Sequence, residues 1–204
     1  MLRNRQALIP YLLLVAALAG GLLWHQSELV PGLGKNVITG RADVGGPFHL
    51  IDHNGKPTSD SDFRGRYMLI YFGYSFCPDV CPTTLAVMAQ ALEKLGAKSQ
   101  RIVPILITID PERDTPKVLA DYVKAFGPSF VGLTGSDAAI QDAEKKYRVY
   151  AAKRPLDSAK GRASNYGVDH SSVLYLMGPD GRLVNFYDEA VSPDDLAKDL
   201  RQRT

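Results

Sequence analysis

From Tyr67 to Tyr74 the chain reads YMLIYFGY, without a single charge. A half-buried strand alternates apolar and polar residues, whereas a continuous apolar run of this length fits a strand covered on both faces. Ile102 to Ile109, IVPILITI, repeats the signal, and Asp110-Pro111 ends it. Between the two, Leu85, Met88, Ala89, Leu92 and Leu95 recur at helical spacing within Pro82 to Leu95, and Gly96 makes a natural stop. Two doubly covered strands joined through a helix require a layered α/β domain.

The rest of the chain extends this pattern. Pro47 to Pro57, PFHLIDHNGKP, has the chemistry of a tight hairpin around Asp-His-Asn-Gly. Thr115-Pro116 opens a helix through Phe126, Phe130 to Leu133 is a short strand, Asp137 to Tyr147 another helix, and Val149 to Lys153 a further strand. Val173 to Met177 and Arg182 to Tyr187 form a hairpin about Gly178 to Gly181, and Ser192-Pro193 caps a last helix to about Arg201. Strands alternating with helices and finishing in a hairpin plus helix predict a mixed central sheet with helices on both faces, the thioredoxin-like arrangement with additions. Arg154 to Tyr166 is polar and without periodicity, which predicts an irregular loop beside the site or a mobile one.

The chain of 204 residues has room for one such domain of about 150 residues plus a short appendage. A net charge of +2, with basic residues scattered, gives no electrostatic footprint for nucleic acid. The appendage is N-terminal. Arg3 and Arg5 precede an uncharged apolar run from Ala7 to Trp24, about 18 residues, which just reaches across a hydrocarbon core. The arginines favour a cytoplasmic start and place the chain beyond His25 outside the cytoplasm, in a periplasm or an equivalent space. A cleaved signal peptide is the competing reading, because Ala17-Leu18-Ala19 is a small-x-small pattern. Apolar residues continue through Leu22, Leu23 and Trp24, however, and favour an uncleaved anchor. The expected organisation is a membrane anchor over residues 1–25, a Gly-rich polar tether over 26–46, and the thioredoxin-like domain over 47–204.

The only two cysteines, Cys77 and Cys81, lie together where the first buried strand gives way to a helix. Four residues apart on a helix, they share a face, so a small adjustment brings the sulfurs to disulfide distance, or one metal ion bridges them. Amides at a helix start favour negative charge, which predicts at least one thiol of depressed pKa. Pro78 and Pro82 stiffen the loop, and Asp79 between the cysteines opposes thiolates but favours a cation. A purely stabilising disulfide is weakly motivated, since closing so short a loop contributes only about 2 kcal/mol.

Of four histidines, His25 sits beside the apolar segment, and His49 and His53 flank the first turn as ordinary polar residues. His170 differs. Asp169-His170-Ser171-Ser172 enters the strand at Val173, and in a thioredoxin-like fold that loop faces the start of the cysteine-bearing helix. Asp169, Ser171 or Ser172 would fix its ring by a hydrogen bond. Two thiolates and an imidazole are a soft, low-coordinate set suited to Cu(I) and acceptable to Cu(II); structural zinc usually wants a fourth protein ligand.

At these residues the sequence resembles the Sco/SenC family of copper proteins involved in cytochrome c oxidase assembly. The matching stretches are YFGYSFCPDVCPTTL from Tyr71, ITIDPERDTP from Ile107 and VDHSSVLYLMGPDGRL from Val168, within a likeness running from about Gly46 to Leu200. The resemblance implies a membrane-anchored, thioredoxin-fold copper chaperone with Cys77, Cys81 and His170 as ligands and Asp79 as an outer group. It implies cytochrome c oxidase subunit II as partner, whose binuclear copper site it would help form by delivering copper, by reducing that site's cysteines, or both. Other copper chaperones or thiol-disulfide reductases would be further partners. The alternative class is a thiol-disulfide oxidoreductase on exported proteins. Three residues between the cysteines, and His in place of a substrate-docking cis-proline, weigh against a general reductase. A peroxiredoxin-like peroxidase would need an activating Thr and Arg set that the sequence does not identify.

Overall fold

The computed structural model describes residues 44–155 and 166–204. The expected anchor, most of the tether and the centre of the 154–166 loop lie outside the described residues. Among the described residues no helix is long and apolar enough to cross a membrane.

The chain runs β1 (His49–Asp52), β2 (Pro57–Ser59), β3 (Tyr67–Gly73), α1 (Val80–Leu95), β4 (Ile102–Thr108), α2 (Pro116–Lys124), β5 (Val131–Thr134), α3 (Asp137–Tyr147), β6 (Ala151–Pro155), β7 (Tyr166–His170), β8 (Val173–Met177), β9 (Leu183–Asp188) and α4 (Pro193–Arg203). Single 3-10 turns at Asp60–Phe63 and Gly96–Arg101 complete it. Seven strands make one mixed sheet in the order β2-β1-β5-β4-β3-β8-β9, with β3, β4 and β5 parallel and β1 and β8 antiparallel to their neighbours. The hairpin β1–β2 turns at Gly55, whose φ of 81° suits glycine, while the Asp52 carboxylate accepts from the Asn54 and Lys56 amides at 2.8 Å each.

Side chains alternate across a strand, so β3 sorts the helices. Tyr71 points at α1, with its hydroxyl 3.8 Å from Cys81 Sγ, and Tyr67 donates to the Arg203 carbonyl at the end of α4 at 2.6 Å. Phe72, on the opposite face, meets Tyr147 of α3 with ring centroids 5.2 Å apart. Gly132 of β5 lies level with Leu106 of β4 and Tyr71 of β3, on the α1 face, and its missing Cβ makes room for Leu119 and Val123 of α2. Thus α1, α2 and α4 cover one face and α3 the other, the layered arrangement predicted. The two successive helical crossovers share a face because both are right-handed steps in the same direction along the sheet.

Two elements differ from expectation. The helix predicted from Pro82 begins at Val80, so Cys81 lies inside its first turn and Cys77 lies outside it. The loop expected over 154–166 is framed by strand at both ends. Arg154 and Pro155 belong to β6 and Tyr166 to β7, and the two pair as a separate two-stranded ribbon.

Candidate metal centre

Parallel pairing sets Gly73, the last residue of β3, level with Thr108, the last of β4, and Ile109 N donates to the Gly73 carbonyl at 3.0 Å. Two loops therefore leave the same sheet edge side by side: Tyr74 to Asp79, carrying Cys77, and Asp110 to Thr115. Carboxyl ends of parallel strands are where α/β sheets place their sites.

Cys77 is half-buried in the bend before α1, and its Sγ accepts from the Cys81 amide at 3.5 Å. Cys81 is fully buried. It heads the apolar stripe of α1 that continues through Leu85, Met88, Leu92 and Leu95, spaced four and three residues apart. Its sulfur packs where a Cβ on Gly73 would come within 3.0 Å of it. Both cysteines carry free thiols.

His170 closes the ribbon, at the end of β7 opposite Ala151. Its Nδ1 lies 3.1 Å from the Ser171 carbonyl oxygen, and since a carbonyl can only accept, Nδ1 carries the proton. That leaves the lone pair on Nε2, 3.5 Å from Cys81 Sγ. The ring is flanked edge-on by Tyr71 and Tyr74, at 6.0 and 6.1 Å between centroids. Of the three residues expected to orient it, Ser171 does so, through its backbone. Asp169 turns outward to pair with Arg154 at 3.1 Å.

At Cys81 desolvation outweighs the pull of the helix start. Burial pushes the Cys81 thiol up to about 12, rather than the helix start pulling it down. A helix dipole is worth about 0.3–1 kcal/mol, less than one pKa unit, whereas full burial shifts a group by up to about 3–5 units, so desolvation wins. Burial also lowers the His170 pKa, which keeps its imidazole neutral and able to coordinate.

Among the described residues no three His, Cys, Asp or Glu side chains form a ready metal-holding group. The structure brings Cys81 and His170 together, and the Cys77 sulfur lies beside the Cys81 thiol while accepting from the Cys81 amide. The donor types fit copper: two sulfurs and a neutral imidazole with its free lone pair aimed inward. Asp79 is exposed and its side chain does not cap α1. His49 is exposed on β1, and His53 Nδ1 accepts from Gly132 N at 3.1 Å, a structural bond between β1 and β5. His25 lies outside the described residues.

The second loop holds residues to which the sequence reading gave no role. Asp110 and Asp114 are both wholly buried. Asp114 accepts from Ser75 N at 3.1 Å, from the Ser75 hydroxyl, and from Thr108 Oγ1 at 2.7 Å, so it anchors the start of the cysteine loop. Asp110 takes Arg113 and the Tyr166 hydroxyl, the latter at 2.6 Å. Three acids and an arginine directly after a fully buried strand were the available signal.

A family profile described as SCO1/SenC matches residues 36–204. "Protein sco1" of Schizosaccharomyces pombe is 40% identical over 198 residues, covering 93% of this chain and 74% of that protein. "Protein SCO1 homolog, mitochondrial" of Mus musculus is 38% identical over 89% of this chain, which spans 64% of that relative's length. The structure of Bradyrhizobium japonicum ScoI with copper bound superposes with a TM-score of 0.72 at 40% identity, covering 79% of this chain and 99% of that one. A further structure, described as a disulfide switch in BsSco, a member of the Sco family of cytochrome c oxidase assembly proteins, superposes with a TM-score of 0.60 at 26% identity, over 78% and 93% of the two chains.

Proposed function

The chain belongs to the SCO1/SenC family, and on that premise we propose that it is a copper metallochaperone holding Cu(I) or Cu(II) through Cys77, Cys81 and His170. Its cargo would go to the binuclear copper site of cytochrome c oxidase subunit II, with the apolar segment from Ala7 to Trp24 anchoring the domain on the periplasmic or equivalent side of a membrane. The observation that carries the reading is the His170 geometry: Nδ1 is committed to the Ser171 carbonyl, so the Nε2 lone pair faces the buried sulfur of Cys81 at 3.5 Å. Relatives solved with copper bound support the same cargo.

Cys81 and His170 form the inner pair, and Cys77, half-exposed, is the donor that a partner's sulfur can reach first. Release by ligand exchange then begins at Cys77 and ends at the buried pair. Copper titration of the reduced full-length chain, followed by spectroscopy, tests the assignment. One copper per chain is expected, lost on Cys77→Ser or Cys81→Ser and weakened by about 10–100-fold on His170→Ala. Absence of stoichiometric copper, or a His170→Ala variant identical to wild type, sinks it.

The half-exposed Cys77 beside a second thiol also supports a thiol-disulfide reaction with the target's cysteines. Full oxidase assembly by a His170→Ala variant would favour that second reading.

A further inference from the structure

His170 stands on a ribbon, β6–β7, that makes no strand pairing with the seven-stranded sheet. Two strands alone are marginally stable in water, so the position of His170 depends on what ties the ribbon to the cysteine loop. Val168 N donates to the Tyr74 hydroxyl at 3.2 Å. The His170 ring packs edge-on against Tyr74, Glu112 takes Lys153 and the Tyr166 hydroxyl, the latter at 3.1 Å, and the ties that reach both loops at once come from Arg113.

Arg113 donates through Nε to Asp110 and through Nη1 to the Tyr166 carbonyl at 3.1 Å. Its guanidinium carbon lies 3.8 Å from the Tyr166 ring centroid, 4.9 Å from that of Phe76 and 5.7 Å from that of Tyr74. Tyr166 in turn donates its hydroxyl to Asp110 at 2.6 Å. Phe76 is next to Cys77, and Tyr166 opens the strand that His170 ends. The planar cation therefore touches both halves of the proposed copper site without reaching either cysteine or the imidazole. Its Nη2 is buried without a partner, which fits a group placed for stacking rather than for a full set of hydrogen bonds. A lysine ammonium would supply charge but neither the flat face nor a fork of separate nitrogens that reaches Asp110 and the Tyr166 carbonyl together.

We propose, resting on the assignment of Cys77, Cys81 and His170 as copper ligands, that Arg113 is a positioning residue whose contacts with Asp110, Tyr166 and Phe76 lock the His170 ribbon to the cysteine loop and thereby set how tightly the imidazole holds copper.

A double-mutant cycle on the reduced full-length chain decides it, using Cu(I) competition with a chromophoric chelator for wild type, Arg113→Lys, His170→Ala and the double variant. Arg113→Lys weakens Cu(I) binding about tenfold when His170 is present and at most about twofold when it is absent. In the metal-free protein, amides of 166–170 exchange about tenfold faster in Arg113→Lys while those of β3 and β4 are unchanged. Equal losses with and without His170, or wild-type binding by Arg113→Lys, overturn the proposal while leaving the ligand assignment standing. Wild-type binding by His170→Ala alone overturns the ligand assignment itself. If exchange quickens throughout β3 and β4, Tyr166→Phe, which removes only a hydroxyl, replaces Arg113→Lys in the cycle, and additivity there is the refuting result.

Discussion

Gly73→Ala isolates the packing demand of the site in one methyl group. The added Cβ would lie 2.7 Å from the Tyr71 ring and 3.0 Å from Cys81 Sγ. Both neighbours have no exposed surface, so neither can relax into solvent. Overpacking of this kind costs about 1–3 kcal/mol. Against it stands a gain of about 0.4–1 kcal/mol, because alanine restricts the unfolded chain. The backbone at Gly73 is ordinary strand, so no conformational strain adds to the balance. The net expectation is a loss of about 1–2 kcal/mol, or about 2–8 °C in Tm for a domain of this size. Urea unfolding of the reduced, metal-free protein measures it, and copper affinity should fall as well, because the methyl displaces the sulfur that faces His170. A second substitution, Cys81→Ala, removes one of the two clashes, so the pair should be less destabilised than the sum of the single changes. A Gly73→Ala protein as stable as wild type, with unchanged copper affinity, would refute the claim that this glycine exists to admit the sulfur.

Copper loading should displace the Cys81 proton at every accessible pH, because that thiol is pushed up to about 12; affinity then rises about tenfold per pH unit from 6 to 8 on this account alone, and a flat profile in competition titrations would contradict it. Burial pushes Glu144 of α3 up to about 7 from 4.5. Its folded pKa is raised, so the stability it contributes is present below about 4.5 and lost as pH climbs through about 7. Glu144→Gln should therefore gain about 1 kcal/mol at pH 8, discounted for its partial exposure, and nothing at pH 4.5, as read by chemical denaturation. Asp114→Ala leaves the Ser75 amide and Thr108 hydroxyl without their acceptor. It should cost about 2–4 kcal/mol and speed alkylation of Cys77; unchanged alkylation would mean that Asp114 does not hold the cysteine loop.

Most of the layering was legible because β3, β4 and the helices carry strong periodic signals and clear caps: the Thr115 and Ser136 side chains accept from Val118 and Ala139 amides as helix starts require. The meeting of Cys81 and His170 was legible from residue type and place. What stayed hidden depends on long-range contact. The ribbon β6–β7 buries only Val168 among its described residues, and Arg154 reads as loop because its partner Asp169 is distant in sequence. The environment of Cys81 was closer to reach: extending the stripe of Leu85, Met88 and Leu92 back by four residues lands on Cys81 and predicts its burial. Starting the helix at Pro82 hid that step.

That burial bears on which chemistry the pair supports. Burial keeps the Cys81 thiol protonated at neutral pH, and the thiolate is the species that attacks a disulfide. Cys81 is therefore poorly placed to start thiol-disulfide exchange, and any such reaction on this pair must begin at the half-exposed Cys77. Copper, under the proposed assignment, has the same proton to displace, and the energy of the copper–sulfur bond would drive it off as the ion enters. The neutral imidazole 3.5 Å from Cys81 does not favour that deprotonation by charge; under the proposed assignment it would be the next ligand. On the proposed assignment, selection between proton and copper at Cys81 follows from the apolar stripe of α1: the burial that silences the sulfur as a nucleophile would make it a dry, soft anchor and leave ligand exchange to the half-exposed Cys77.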